Sequence, residues 1–138
     1  MVGEYRHAID AKGRLFVPSK LREELGEVFY IARGLDGCIG VHTEAGWQKL
    51  VDKYNELPVN KTKTLRFFFA TAAKCEPDKQ GRFLIPQHLR NYAQLKQDVV
   101  FIGQAGHAEI WDAEIYDRMS EEYMTPEALA EALEELDF

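Results

Sequence analysis

Residues 10–22, Asp10-Ala-Lys-Gly-Arg-Leu-Phe-Val-Pro-Ser-Lys-Leu-Arg22, decide how this chain is read, because the stretch occurs twice. Residues 78–90 read Asp-Lys-Gln-Gly-Arg-Phe-Leu-Ile-Pro-Gln-His-Leu-Arg, 68 positions later. Six of the thirteen positions are identical: Asp10/Asp78, Gly13/Gly81, Arg14/Arg82, Pro18/Pro86, Leu21/Leu89 and Arg22/Arg90. Three more exchange one apolar residue for another (Leu15/Phe83, Phe16/Leu84, Val17/Ile85). A repeat of this length marks two copies of one supersecondary unit, so the fold is to be read as a pair.

The chemistry of the unit is local. In Asp-x-x-Gly the aspartate can accept from backbone N–H groups two residues on, and the glycine supplies the positive φ that closes the turn. The sequence therefore predicts a hairpin with Arg14 or Arg82 projecting just past its tip. Three consecutive apolar residues follow in each copy, which predicts a strand buried on both faces. Pro18 and Pro86 suit the first turn of a helix, where a missing N–H costs nothing. Leu21 and Leu25 share one face of the first such helix, and Gly26 is placed to cap it.

Outward from the motif, 138 residues make one medium domain or two fused small ones. Each half alone is small, so the copies are expected to share one core. Glu4–Ile9 and Arg14–Val17 read as the arms of the first hairpin, Val28–Arg33 and Cys38–His42 as further strands, and Glu44–Asn55 as a helix capped by Thr43. In the second copy, Leu65–Cys75 reads as a long strand centred on Phe67, Phe68 and Phe69. Val99–Gly103 and Gly106–Trp111 are expected strands, and Asp112 takes over the capping role of Thr43. The resulting division is a first repeat over 1–55, a connection over 56–64, a second repeat over 65–124, and an acidic C-terminal helix over 125–138.

Charge is segregated along the chain. The net charge is −6. Residues 109–138 hold eleven acids against the single base Arg118, so residues 1–108 are +4 by difference. Windows 5–22 and 74–96, which contain the repeated motif, are +4 and +3. A local basic face governs the choice of partner more than the global charge does. No apolar run approaches the roughly 18 residues of a membrane span, and the N-terminus lacks a signal peptide's apolar segment. Cys38 and Cys75 occupy non-equivalent positions and read as reduced thiols in a cytoplasmic protein. His7, His42, His88 and His107 lack metal-ligand spacing. No cofactor, metal, membrane or small-molecule substrate is expected.

Two copies of Asp-x-x-Gly-Arg, each followed by three apolar residues and Pro-x-x-Leu-Arg, resemble the MraZ family, whose members carry two AbrB-like (SpoVT-AbrB) DNA-binding repeats. The resemblance extends from Met1 to about Tyr123. It implies a mainly β fold with short packed helices, in which the repeats form one pseudo-two-fold, interleaved β-barrel of the double-split, swapped-hairpin kind. It further implies a nucleoid-associated bacterial regulator that acts at the promoter of the division and cell-wall gene cluster and assembles into a homo-oligomeric ring on double-stranded DNA. The family's Asp-x-x-x-Arg signature falls on Asp10/Arg14 and Asp78/Arg82. Between those positions the copies differ, and the basic residue moves from Lys12 to Lys79.

From the residues alone, an arginine at a hairpin tip can reach guanine in a DNA groove. Lys12, Lys79, Arg6 and Lys74 would neutralise phosphates. The competing structural reading is that each arginine only pairs with its own aspartate at a surface turn, adding little stability. Recurrence in both copies among basic neighbours favours DNA contact. Arg22 and Arg90 are as well suited to covering the core with their stems as to touching phosphate, and stay outside the expected site. Asp10 and Asp78 also invite comparison with an aspartic-protease dyad, but a proton-sharing pair needs a site free of strong positive charge. A third reading is an AbrB-like antitoxin whose acidic helices clamp a basic partner. The DNA reading requires Arg14 and Arg82 to face one way and lie open.

Overall fold

Every strand finds a partner in the other copy. A computed structural model describes residues 1–138. β1 (Glu4–Ala8) runs antiparallel to β7 (Asp98–Gln104), β2 (Arg14–Phe16) to β6 (Arg82–Leu84), and β3 (Phe29–Arg33) to β5 (Ala73–Cys75). Only β3 with β4 (Ile39–Thr43) and β7 with β8 (His107–Asp112) pair within a copy. The join between β4 and β8 completes a six-stranded sheet in the order β1-β7-β8-β4-β3-β5, while β2 and β6 form a separate two-stranded ribbon. The fold is thus mainly β sheet with several short helices. Hydrogen bonding does not close it into a barrel, because β1 and β5 remain the edges of an open sheet.

Three expectations change. The arms of the expected hairpin do not pair as strands: beyond the turn bonds Asp10 N to Arg14 O (3.0 Å) and Gly13 N to Asp10 O (3.0 Å), no backbone hydrogen bond joins β1 to β2, and the two part to different sheets. The expected strand over Leu65–Cys75 is mostly helix: α3 spans Lys63–Ala70, and only Ala73–Cys75 is extended. Leu65, Phe68 and Phe69, spaced i, i+3, i+4, are its half-buried face, while Phe67 is exposed. Phe68 and Phe69 pack against Trp47 of α2 (Glu44–Glu56), at ring-centroid distances of 5.6 and 5.3 Å. The triple-apolar strands, finally, are buried on one face only. Leu15 and Phe83 are 1% and 4% exposed, whereas Phe16 and Leu84 are 41% and 55% exposed.

Local signals hold. Thr43 caps α2 by accepting from Gly46 N (3.0 Å), and Asp112 caps α5 (Ala113–Tyr123) by accepting from Ile115 N (3.2 Å). Thr125 caps α6 (Pro126–Leu133), accepting from Ala128 N (3.1 Å). The helix expected after Pro18 begins as a 3₁₀ turn over Ser19–Leu21 and continues as α1 (Arg22–Leu25), and Gly26 at φ +76° ends it. Its counterpart α4 is Gln87–Tyr92.

One cluster of 18 buried residues draws on both copies, so neither half has a core of its own. Leu15 and Phe83 lie directly opposite each other on the inner face of the ribbon. Phe83 packs edge-on against Phe29 (5.0 Å, 83°). Phe83→Ala is expected to cost about 3–5 kcal/mol by emptying this site, whereas Leu84→Ala next to it should stay within about 0.5 kcal/mol. Denaturant unfolding of the two variants checks the one-sided burial, and equal losses would contradict it.

Candidate nucleic-acid interface

The two turns that feed the ribbon are built alike, atom for atom. Asp10 Oδ1 accepts from the backbone N–H groups of Lys12 and Arg14, each at 2.9 Å, and Asp78 Oδ1 accepts from those of Gln80 and Arg82 at the same distance. Gly13 and Gly81 take φ of +84° and +83°, which a side chain would disfavour. The second carboxylate oxygen then accepts from the arginine: Arg14 Nε to Asp10 Oδ2 at 2.8 Å, and Arg82 Nε to Asp78 Oδ2 at 3.0 Å. Each aspartate thus closes its turn and fixes the following guanidinium through Nε, leaving the Nη edge free.

Bonding of this kind sets the charge state. Both carboxyls are held below the usual aspartate range, first by the backbone N–H of the arginine and then by its guanidinium. A protease dyad requires the opposite, one carboxyl kept protonated by a close like charge. Here each aspartate is committed to its own arginine.

Register decides the direction of the arginines. In the antiparallel ribbon Arg14 lies opposite Leu84 and Phe16 opposite Arg82, so these four side chains share the outer face while Leu15 and Phe83 share the inner one. The side chains of Arg14 and Arg82 are 31% and 27% exposed. Lys12 and Lys79 stand exposed on the same turns.

Arg6 and Lys74 sit elsewhere, on the edge strands of the large sheet, and both are engaged. Arg6 grips Asp117 of α5 through both terminal nitrogens (2.7 and 3.3 Å), and Lys74 Nζ lies 3.6 Å from Glu76. The acidic segment therefore also touches the body of the protein, since Glu114 of α5 likewise pairs with Lys96 at 3.2 Å.

Sequence reasoning left out a second pair of arginines. Each turn is clasped by the other copy. Gly81 O accepts from Val17 N (2.8 Å), and Gly13 O accepts from Ile85 N (2.9 Å). Arg22 donates through Nε to Val17 O (3.2 Å) and lies over Gly81, where an added Cβ would come within 2.6 Å of its guanidinium carbon. Arg90 donates to Ile85 O (2.9 Å) and lies over Gly13, where the corresponding distance is 2.7 Å. The signal was present as an arginine at the same place in both copies, but its meaning depends on the cross-copy pairing.

Comparison with known proteins gives consistent matches. The family model described as "MraZ protein, putative antitoxin-like" matches twice, over residues 1–67 and 68–136. The chain is 46% identical over 140 residues to the transcriptional regulator MraZ of Caldicellulosiruptor saccharolyticus, covering 99% of this chain and 98% of the relative. It is 49% identical to the protein of the same name from Heliobacterium modesticaldum, over 87% of this chain and 86% of that one. The corresponding protein of Lachnoclostridium phytofermentans is 50% identical over 87% of this chain and 90% of its own length.

The clasp predicts coupling between the copies. Gly81→Ala should destabilise by roughly 1–2 kcal/mol from backbone strain alone, with more lost as Arg22 is pushed off the turn and away from Val17 O. Adding Arg22→Ala should relieve the collision, so the double variant is more stable than the sum of the single losses by at least about 0.5 kcal/mol. Additive losses in a denaturant-unfolding cycle would show that Arg22 does not rest on the turn.

Proposed function

Because the chain belongs to the MraZ family and carries two register-matched arginines on one open ribbon face, we propose that it is a sequence-specific DNA-binding transcriptional regulator and not an enzyme. The relatives named transcriptional regulators match it over nearly their whole length, which supports the reading. The observation that carries it is the pairing of Arg14 and Arg82 on the ribbon's outer face, each with Nε already bonded and its outer edge free. A B-DNA major groove about 12 Å wide admits a two-stranded ribbon. The Nη edge of each arginine then bonds guanine O6 and N7, a contact worth roughly 1–3 kcal/mol of discrimination.

Asp10 and Asp78 serve by orientation. With the guanidinium fixed before binding, less side-chain freedom is lost on association. Lys12 and Lys79 neutralise phosphates beside the ribbon, which makes affinity fall with added salt. Arg6 and Lys74 can join them only by releasing Asp117 and Glu76, so their share is smaller. The exchange of strands between copies supports treating the chain as one pseudo-two-fold, swapped-hairpin unit with two arms. Copies assembled into a ring would present several such faces to short repeated motifs and gain affinity through effective concentration. The target in this proposal is the promoter of the division and cell-wall genes, and the site of action the nucleoid.

The family description and the acidic helices α5 and α6 favour one second reading, a clamp for a basic protein partner. Removing residues 125–138 would abolish such a clamp but leave duplex binding intact. For the main reading, Arg14→Ala and Arg82→Ala should each leave folding and oligomer size unchanged and weaken binding to a promoter duplex at least tenfold. Unchanged affinity in both single variants and in the double variant, measured across a salt titration, would refute the assignment.

A further inference from the structure

We infer that Phe16 and Leu84 are specificity-determining residues that cover thymine methyl groups beside the two arginines. The inference rests on the DNA-binding reading and concerns the half of the ribbon face that the arginines leave unexplained. An exposed strand face is ordinarily polar, yet this one alternates Arg14, Leu84, Phe16 and Arg82, with the two apolar residues 41% and 55% exposed. Phe16 and Leu84 occupy equivalent positions in the two copies, so the apolar choice was made twice. Neither contributes to the core cluster, whose ribbon members are Leu15 and Phe83.

The arginines identify the occupant. A second copy docked face to face on this ribbon would bring the arginines of both copies together, because a two-fold interface apposes the same patch on each side. Duplex DNA is complementary instead: it is anionic, its major groove takes a ribbon of this width, and the apolar feature its base edges present there is the C5-methyl group of thymine. Directly opposed side chains in an antiparallel pair lie about 4.5–5.5 Å apart, against a rise of about 3.4 Å per base pair. An arginine and its apolar partner therefore reach bases within a step or two of each other. Arg14 with Leu84 forms one such reading pair, and Phe16 with Arg82 the other.

The test uses a duplex enriched by the wild-type chain from a randomised library, together with the same duplex carrying deoxyuridine in place of every thymidine. Loss of each covered methyl should weaken wild-type binding about fourfold, the equivalent of ~0.8 kcal/mol. The Phe16→Ala, Leu84→Ala double variant should bind both duplexes alike and keep the wild-type melting temperature and sedimentation. Wild-type indifference to the methyl groups, or full thymine-over-uracil discrimination in the double variant, overturns the inference. A changed oligomer size in the double variant also overturns it, by showing that the face is a contact between copies. Arg14→Ala and Arg82→Ala run alongside separate the claims: weak binding by these variants with discrimination untouched by Phe16→Ala, Leu84→Ala sinks this inference alone, full binding by the arginine variants sinks the assignment of the arginines, and failure of the wild-type chain to enrich any duplex sinks the DNA reading itself.

Discussion

The three-residue pairing of β2 with β6 is the constraint on which the rest of the structure depends. Neither strand has another sheet partner, and a two-stranded ribbon is marginal in water unless something covers one face. Leu15 and Phe83 supply that cover by entering the common core from opposite strands. Once they are in register, Arg14 and Arg82 have no choice but to share the opposite face. Turn, ribbon and arginine clasp are then each completed by the other copy: Val17 bonds to Gly81, Ile85 to Gly13, Arg22 lies over one turn and Arg90 over the other. A defect in either motif consequently disturbs both arms.

Electrostatics follows from the same turns. The folded-state titration of Asp10 and Asp78 is depressed by backbone N–H groups and arginine, so what each contributes is fully present above the usual aspartate range. That contribution is lost only as pH falls through the depressed folded values. Near neutrality the arginines are fixed irrespective of small changes in acidity. On the proposed DNA-binding reading salt is the stronger lever, because it acts on phosphate contacts and hardly on short bonds within the turn. The acidic C-terminal segment enters this picture at two points, where Asp117 and Glu114 hold Arg6 and Lys96 on the body of the protein.

What the sequence made legible was the local chemistry, and what it hid was partnership. Thr43 and Asp112 were readable as caps because a cap concerns residues three apart in the chain. Asp10 and Asp78 were readable as turn formers for the same reason, and so were the arginines that follow them. Nothing in Glu4–Ala8, by contrast, says that its partner is Asp98–Gln104 and not the strand that comes next. The hairpin reading assumed that neighbours in sequence pair, and in this fold the copies exchange strands. Phe67–Phe69 misled differently, through the β-propensity of aromatic residues. The spacing of Leu65, Phe68 and Phe69 was the better signal, since it matches a helix face laid against Trp47. Arg22 and Arg90 could be found only once β2 and β6 were known to meet.

Carrying both copies on one chain has a consequence that a dimer of identical single repeats lacks. A symmetric pair must place the same residue at both ends of its ribbon, so its two arms read the same bases in mirrored order. Here the arms have diverged at outward-facing positions, Lys12 on one turn and Lys79 on the other, Phe16 against Leu84 on the strands, while Asp, Gly, the arginine after the turn and one arginine of the clasp are kept in each copy. The retained residues are those whose geometry the other copy needs: a positive φ beneath a guanidinium, and a carboxylate that closes a turn and orients a side chain. The exchanged residues are those the other copy does not touch in these ways. On the DNA-binding reading proposed above, fusion thus separates the positions that build the reading head from those free to set what it reads, and it keeps the pair assembled at any concentration.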